Sequence, residues 1–161
     1  MIKDLFEENK ISYQNTDVPQ QLADLKLDGR ILEYLSCMGR DLKFYVSEYG
    51  VASTRLFSVE TILEEVFDEY NKPCIENGYL IIGEGPNGDL LCVDIKKGTV
   101  GYAYHDELWE GSFEDFSSIY IDMPILLKKF RDMMLKDEFN YPLTDMRPRN
   151  IWVRYFPDRT P

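Results

Sequence analysis

Apolar and polar positions are patterned most clearly over residues 78–107, GYLIIGEGPNGDLLCVDIKKGTVGYAYHDE, and the pattern predicts three consecutive strands. Residues 79–82 form a short apolar run, 83–88 a glycine-rich turn and 90–95 a second apolar run. A tight turn at 96–98 follows, and over 99–105 Val100, Tyr102 and Tyr104 alternate with smaller residues. Branched and aromatic side chains pack well on a pleated surface, and the Gly, Pro and Asn between them accept turn angles, so such runs read as hairpins. Residues 42–57, interrupted by Gly50, predict strand on either side of a further turn.

Elsewhere the spacing is helical. Ser58 is an N-cap for a helix over 59–70, in which Ile62, Leu63, Val66, Phe67 and Tyr70 form one stripe directed at the core. Glu60, Glu64, Glu65, Asp68 and Glu69 occupy the opposite face, with like charges four apart at Glu64/Asp68 and Glu65/Glu69. A helix starting at Asp28 or Gly29 is expected to stop by Gly39 in a left-handed terminus. Asp122 reads as the cap of a helix over 123–136, with Pro124 in its first turn and Ile125, Leu126, Phe130, Met133 and Met134 inward. Residues 1–21 suggest a terminal arm with a loop around Pro19. Residues 108–111 suggest a turn, 112–116 a Ser-capped helical turn, and 118–121 and 151–156 short strands.

A chain of 161 residues can bury one sizeable core, so a single α+β domain over 1–161 is expected, with a central, mainly antiparallel sheet flanked by helices. No run approaches the roughly 18 to 20 apolar residues that cross a bilayer, and the start of the chain lacks a signal-like apolar core. A cytoplasmic protein with no membrane partner is expected. Cys37, Cys74 and Cys92 are odd in number and widely spaced, which suits small buried hydrophobes rather than disulfides or a zinc site.

Charge changes the picture further. The formal net charge is −11, but residues 1–122 carry 10 basic and 24 acidic side chains, net −14, whereas 123–161 carry 8 and 5, net +3. Such a field repels nucleic acid and hastens encounter with a basic partner. The basic and aromatic residues Arg147, Arg149, Trp152, Arg154 and Tyr155 form too small a patch to reverse that preference.

Tests for chemistry return little. Gly83, Gly85 and Gly88 spell G-x-G-x-x-G after a strand, but that motif holds a pyrophosphate only where a helix opens at the third glycine, and DLLCVDI reads as strand. A nucleotide-binding protein or small enzyme using this turn is the weakest of three alternatives. His105 is the only histidine, and a lone histidine at a strand end reads as a hydrogen-bonded structural residue. No G-x-S-x-G elbow and no G-K-[ST] loop occurs. No catalytic residue, metal or cofactor is assigned, and the chain is not expected to be an enzyme.

The run LFSVETILEEVFDEY, followed by LIIGEGPNGDLLCVDIKKGTVGYAYHDE and SFEDF, resembles the SUKH superfamily, which includes yeast cell-wall-assembly regulators and many bacterial immunity proteins. The features that carry the resemblance are the helix, the Gly-Asp of Gly88 and Asp89, the acid Asp94 ending the second strand, Gly98 with Val100, the His105 to Glu107 end, and Ser112 with Phe116. It implies an α+β domain that binds and neutralises a cognate toxin, nucleases among them, with no chemistry of its own. A non-catalytic scaffold or regulatory module is the other reading. The contact candidates are Glu64 and Asp68 on the acidic helix face, Glu84 and Asp89 bounding the glycine-rich turn, and Asp106, Glu107 and Trp109 after the third strand.

Overall fold

A computed structural model describes residues 14–46, 51–85 and 88–135. Six strands, β1 (Leu42–Val46), β2 (Val51–Leu56), β3 (Tyr79–Glu84), β4 (Leu90–Asp94), β5 (Thr99–Ala103) and β6 (Tyr120–Leu126), lie side by side in chain order. Every neighbouring pair is antiparallel, so the sheet is a continuous meander. The helices are α1 (Gln20–Ala23), α2 (Gly29–Ser36), α3 (Val59–Phe67), α4 (Lys72–Glu76), α5 (His105–Glu110) and α6 (Leu127–Leu135), with a 3-10 turn at Phe116–Ile119. The architecture is α+β, as the sequence pattern leads one to expect.

Register explains why the middle strands read as unbroken apolar runs. Ile81, Cys92 and Gly101 lie abreast on one face of β3, β4 and β5, and Leu80, Val93 and Val100 lie abreast on the other. All six are buried, so both faces are covered. On the first face α4 brings Cys74 against Cys92. All three cysteines are free thiols, with Cys74 and Cys92 fully enclosed. Helices α3 and α4 pack on β3, while α2 packs against α6.

Gly101 permits a close approach between β5 and β6. A β-carbon there would lie 2.3 Å from the Ile121 carbonyl oxygen and 2.4 Å from the Tyr120 hydroxyl. The Tyr120 ring therefore folds over β5 and meets Tyr79 at 4.1 Å between ring centres, and Phe116 stacks on Tyr79 at 5.0 Å.

The starts of α2 and α3 follow from their caps. Asp28 accepts from the amides of Arg30 and Ile31, and Ser58 accepts from the amide of Thr61. Four expectations are corrected. Gly39 ends no helix in a left-handed turn; it is small because a β-carbon would lie 2.8 Å from the Gln14 carbonyl oxygen. The expected helix over 123–136 begins only at Leu127, because Ile121, Met123 and Ile125 bury at a period of two and extend β6 through Leu126. Asp122 is thus a strand residue rather than a cap. Pro124 sits where the β5–β6 register slips, on a strand with no further neighbour among the described residues, so its missing donor costs no ladder bond to β5. The short turn is capped by Asp115 and starts at Phe116, not at Ser112. The expected arm over residues 1–13, the turn at 47–50, the side chains of Met133 and Met134, and the strand at 151–156 lie outside the described residues.

Asp41 ties β1, β2 and α3 together. One carboxylate oxygen accepts from the Ser58 amide at 2.7 Å and the Thr61 hydroxyl at 3.2 Å; the other accepts from Nε and Nη2 of Arg55. Desolvation acts to raise this carboxyl, but the Ser58 amide and the Arg55 guanidinium outweigh it and hold it below its ordinary value of 3.8. A carboxylate lowered in the folded state contributes stability above the unfolded value that is lost as pH falls through the folded one. Asp41→Asn should therefore cost about 1–3 kcal/mol at neutral pH, since bonds to a charged acceptor are removed. Urea titrations should also show the variant losing less stability than the parent between about pH 5 and about pH 2.

Candidate functional site

The site begins where α3 ends. Helical spacing alone would carry the helix to Tyr70, but Asp68 leaves it with an extended backbone, and its carboxylate accepts from the Tyr70 amide at 2.9 Å. Asp side chains compete with the helix in this way by bonding backbone two residues on. The Asp68 carbonyl then accepts from the amides of Asn71 and Lys72, turning the chain into α4. Two consequences correct the sequence reading. Asp68 and Glu69 are outside the helix, so the like-charge pairs across one turn do not form. Phe67 and Tyr70 leave the core stripe and are 53% and 62% exposed.

The second part is α5, where the sequence predicted the end of a strand followed by a turn. Tyr104 at its start offers no side-chain cap. Asp89, sixteen residues earlier on the glycine-rich turn, supplies it: one carboxylate oxygen accepts from the His105 amide at 3.2 Å and lies 2.7 Å from His105 Nδ1. His105 Nε2 lies 3.1 Å from Asp106 Oδ1. Both ring nitrogens are thus engaged, in keeping with a hydrogen-bonded structural histidine. Gly111, at a left-handed φ of 66°, closes the helix.

Trp109 joins the two parts. Its ring meets His105 edge-on at 4.9 Å between centres, and its Nε1 donates to Asn71 Oδ1 at 2.8 Å. Asn71 is buried and its Nδ2 donates to Glu65 Oε2 at 2.7 Å. A chain of contacts therefore runs from Asp89 through His105, Trp109 and Asn71 to Glu65. It brings the glycine-rich turn, α5 and the acidic helix onto one corner of the molecule.

The contact candidates divide accordingly. Glu64, Asp68, Asp106 and Trp109 are exposed, Trp109 to 47%. Asp106 and Trp109 stand three apart on α5, with exposed Glu110 beside them, and so share a side of the helix. Glu84 and Glu107 are half-buried, and Glu84 lies 3.8 Å from the Arg55 guanidinium. Asp89 is 7% exposed and turned inward, so it supports the surface rather than forming it. Sequence reasoning missed Asn71, Phe67 and Tyr70. The available signal was Asp68 three residues before Asn71, a combination that favours a turn over a helix.

Electrostatically the corner carries surplus negative charge. Desolvation, then the carboxylates of Asp68, Glu84 and Glu64, push Glu65 above its ordinary value, and Arg55 offsets them only in part. No helix opens at Gly88: β4 follows it, so the amide array that would meet a pyrophosphate is not formed there. Among the described residues no group of three or more His, Cys, Asp or Glu side chains is arranged to hold a metal ion, and no helix is long and apolar enough to cross a membrane. Comparison with protein-family models, curated proteins and solved structures gives no match to this chain.

Asn71→Ala should leave the indole N–H without its acceptor and the Glu65 carboxylate without a donor, for a loss of about 1–2 kcal/mol. In a Trp152→Phe background, where Trp109 is the sole tryptophan, its emission maximum should move to longer wavelength while far-ultraviolet circular dichroism is unchanged.

Proposed function

We propose that this chain is a non-catalytic binding protein that neutralises a cognate toxin, nucleases among the candidates, by covering its working surface. The resemblance to the SUKH superfamily carries the class, and the reading places its action in the cytoplasm of the cell that makes the protein. What supports it in the molecule is the assembled corner: Asn71, bonded to Glu65 of α3, joins the Asp68 turn to a tryptophan of the acidic helix α5 that is held at both its ring and its Nε1. Aromatic anchors beside charged groups are the composition of binding hot spots, and a side chain already fixed loses little freedom when a partner arrives. A negative surface of this kind suits a basic partner, whose approach it accelerates.

Titration calorimetry against the C-terminal domains of toxins encoded in the same genome tests the proposal, with toxin activity measured alongside. Tight binding with loss of activity is the expected result. Binding without inhibition would convert the reading to a scaffold, and no binding to any domain would remove it. With the bound toxin in hand, the double variant Glu64→Lys, Asp68→Lys should slow association by about tenfold or more at low salt. Its unfolding free energy should stay within about 0.5 kcal/mol of the parent, because both side chains are exposed.

A further inference from the structure

Three of the large apolar side chains that the described part of the fold leaves exposed, Phe67, Tyr70 and Trp109, belong to this one corner. Tyr70 immediately precedes the asparagine that holds Trp109, and Phe67 closes α3 three residues earlier. Exposed aromatic side chains on two segments that a hydrogen bond ties together mark a candidate contact surface. The ring system of Trp109 is not free to turn away, since its Nε1 is bonded and its edge rests on His105.

The charge around these rings states what they suit. The exposed acids Asp68 and Glu69 lie between Phe67 and Tyr70 in the chain, and exposed Asp106 and Glu110 share α5 with Trp109. Lys72, the one cation between Phe67 and Lys72 in the chain, is drawn to Glu76 at 3.5 Å rather than to those acids. The half-buried Glu65 carboxyl behind Asn71 is already raised by burial and by its acidic neighbours, so a cation placed on this surface would relieve repulsion that the fold itself leaves in place. Between the two common cations, the guanidinium is favoured. It is planar, stacks on indole and phenol faces, gives up hydration more readily than an ammonium, and forks onto carboxylates.

We infer that Tyr70 and Trp109, rimmed by Asp68, Asp106 and Glu110, form a docking site for arginine side chains presented by a basic partner protein. The inference rests on the binding-protein reading above and adds the chemistry of the contact: guanidinium groups stack on the two rings while the carboxylates take their N–H donors. Phe67 extends the apolar floor at the end of α3.

The test uses the full chain and peptides rather than a toxin, so that it stands or falls separately. In the Trp152→Phe background, Trp109 fluorescence is titrated with octa-arginine, octa-lysine and octa-citrulline, the last being a neutral isostere of arginine. Octa-arginine should bind at least about fivefold more tightly than octa-lysine and quench Trp109, with no response to octa-citrulline. Trp109→Leu and Tyr70→Leu, followed by calorimetry, should each abolish the preference for arginine over lysine while leaving weak, salt-sensitive binding of both. Because Trp109 is also bonded to buried Asn71, the urea midpoints of these variants check that the fold is kept. If either variant is destabilised, Asp106→Asn with Glu110→Gln is the substitute, and it should lower octa-arginine affinity at least about threefold. Equal binding of the two cationic peptides, or a preference unaltered by all of these changes, would overturn the inference and leave only a diffuse acidic field. An arginine preference without binding to any toxin would sustain this site and refute the immunity reading. Toxin binding unaffected by Trp109→Leu and Tyr70→Leu would do the reverse.

Discussion

The structure depends on one constraint: the central strands are apolar on both faces, and neither face can be left to water. Leu80 and Ile81, or Cys92 and Val93, point in opposite directions yet are all fully enclosed. A sheet of this kind must be covered twice, which a meander achieves with its long connections together with the helices that precede β1 and follow β6. The long connection between β2 and β3, carrying α3 and α4, and the one between β5 and β6, carrying α5 and the 3-10 turn, are therefore structural necessities. Each fully buried aliphatic side chain contributes roughly 1.5–3 kcal/mol, so the covering segments are held by the same burial that organises the strands.

Where the covering segments meet, polar side chains bridge them. Asp41 clasps β2 and the start of α3, Asp89 caps α5, and Asn71 receives Trp109. Each is an acceptor brought in from a distant part of the chain to satisfy a donor that local sequence leaves without one, which burial would otherwise make costly. The two bridges nearest the α3–α4 turn also fix a tryptophan among acids. Packing and surface chemistry thus have the same cause: the groups that close the fold at this corner are those that hold the proposed binding face in place.

Much of this was legible in the chain. Short apolar runs located β3 and β4 and an alternating run located β5, the break at Gly50 separated β1 from β2, and Asp28 and Ser58 marked the starts of α2 and α3. These signals succeed because they are local: a strand's alternation and a cap's hydroxyl act within a few residues. The exposed candidates Glu64, Asp68, Asp106 and Trp109 were also legible, as acids on one helix face and as an aromatic residue beyond a strand end. Helix ends were less so. At Asp68 an acid bonding its own backbone outweighed the apolar stripe, and over 120–126 strand pairing with β5 outweighed a cap and a proline that suit a helix start equally well.

The sequence by itself determined an acidic α+β chain built on an antiparallel sheet, because hydrophobic period, turn residues and net charge are properties of neighbours along the chain. Only the tertiary structure decided that Asp89 caps α5, that Asn71 holds Trp109, and that three separate stretches share one corner. Those contacts join residues 16 and 38 positions apart. Hydrogen bonds at such separations are specified by where packing leaves a buried donor without a partner, and that is settled only once the sheet and its covering helices are in place.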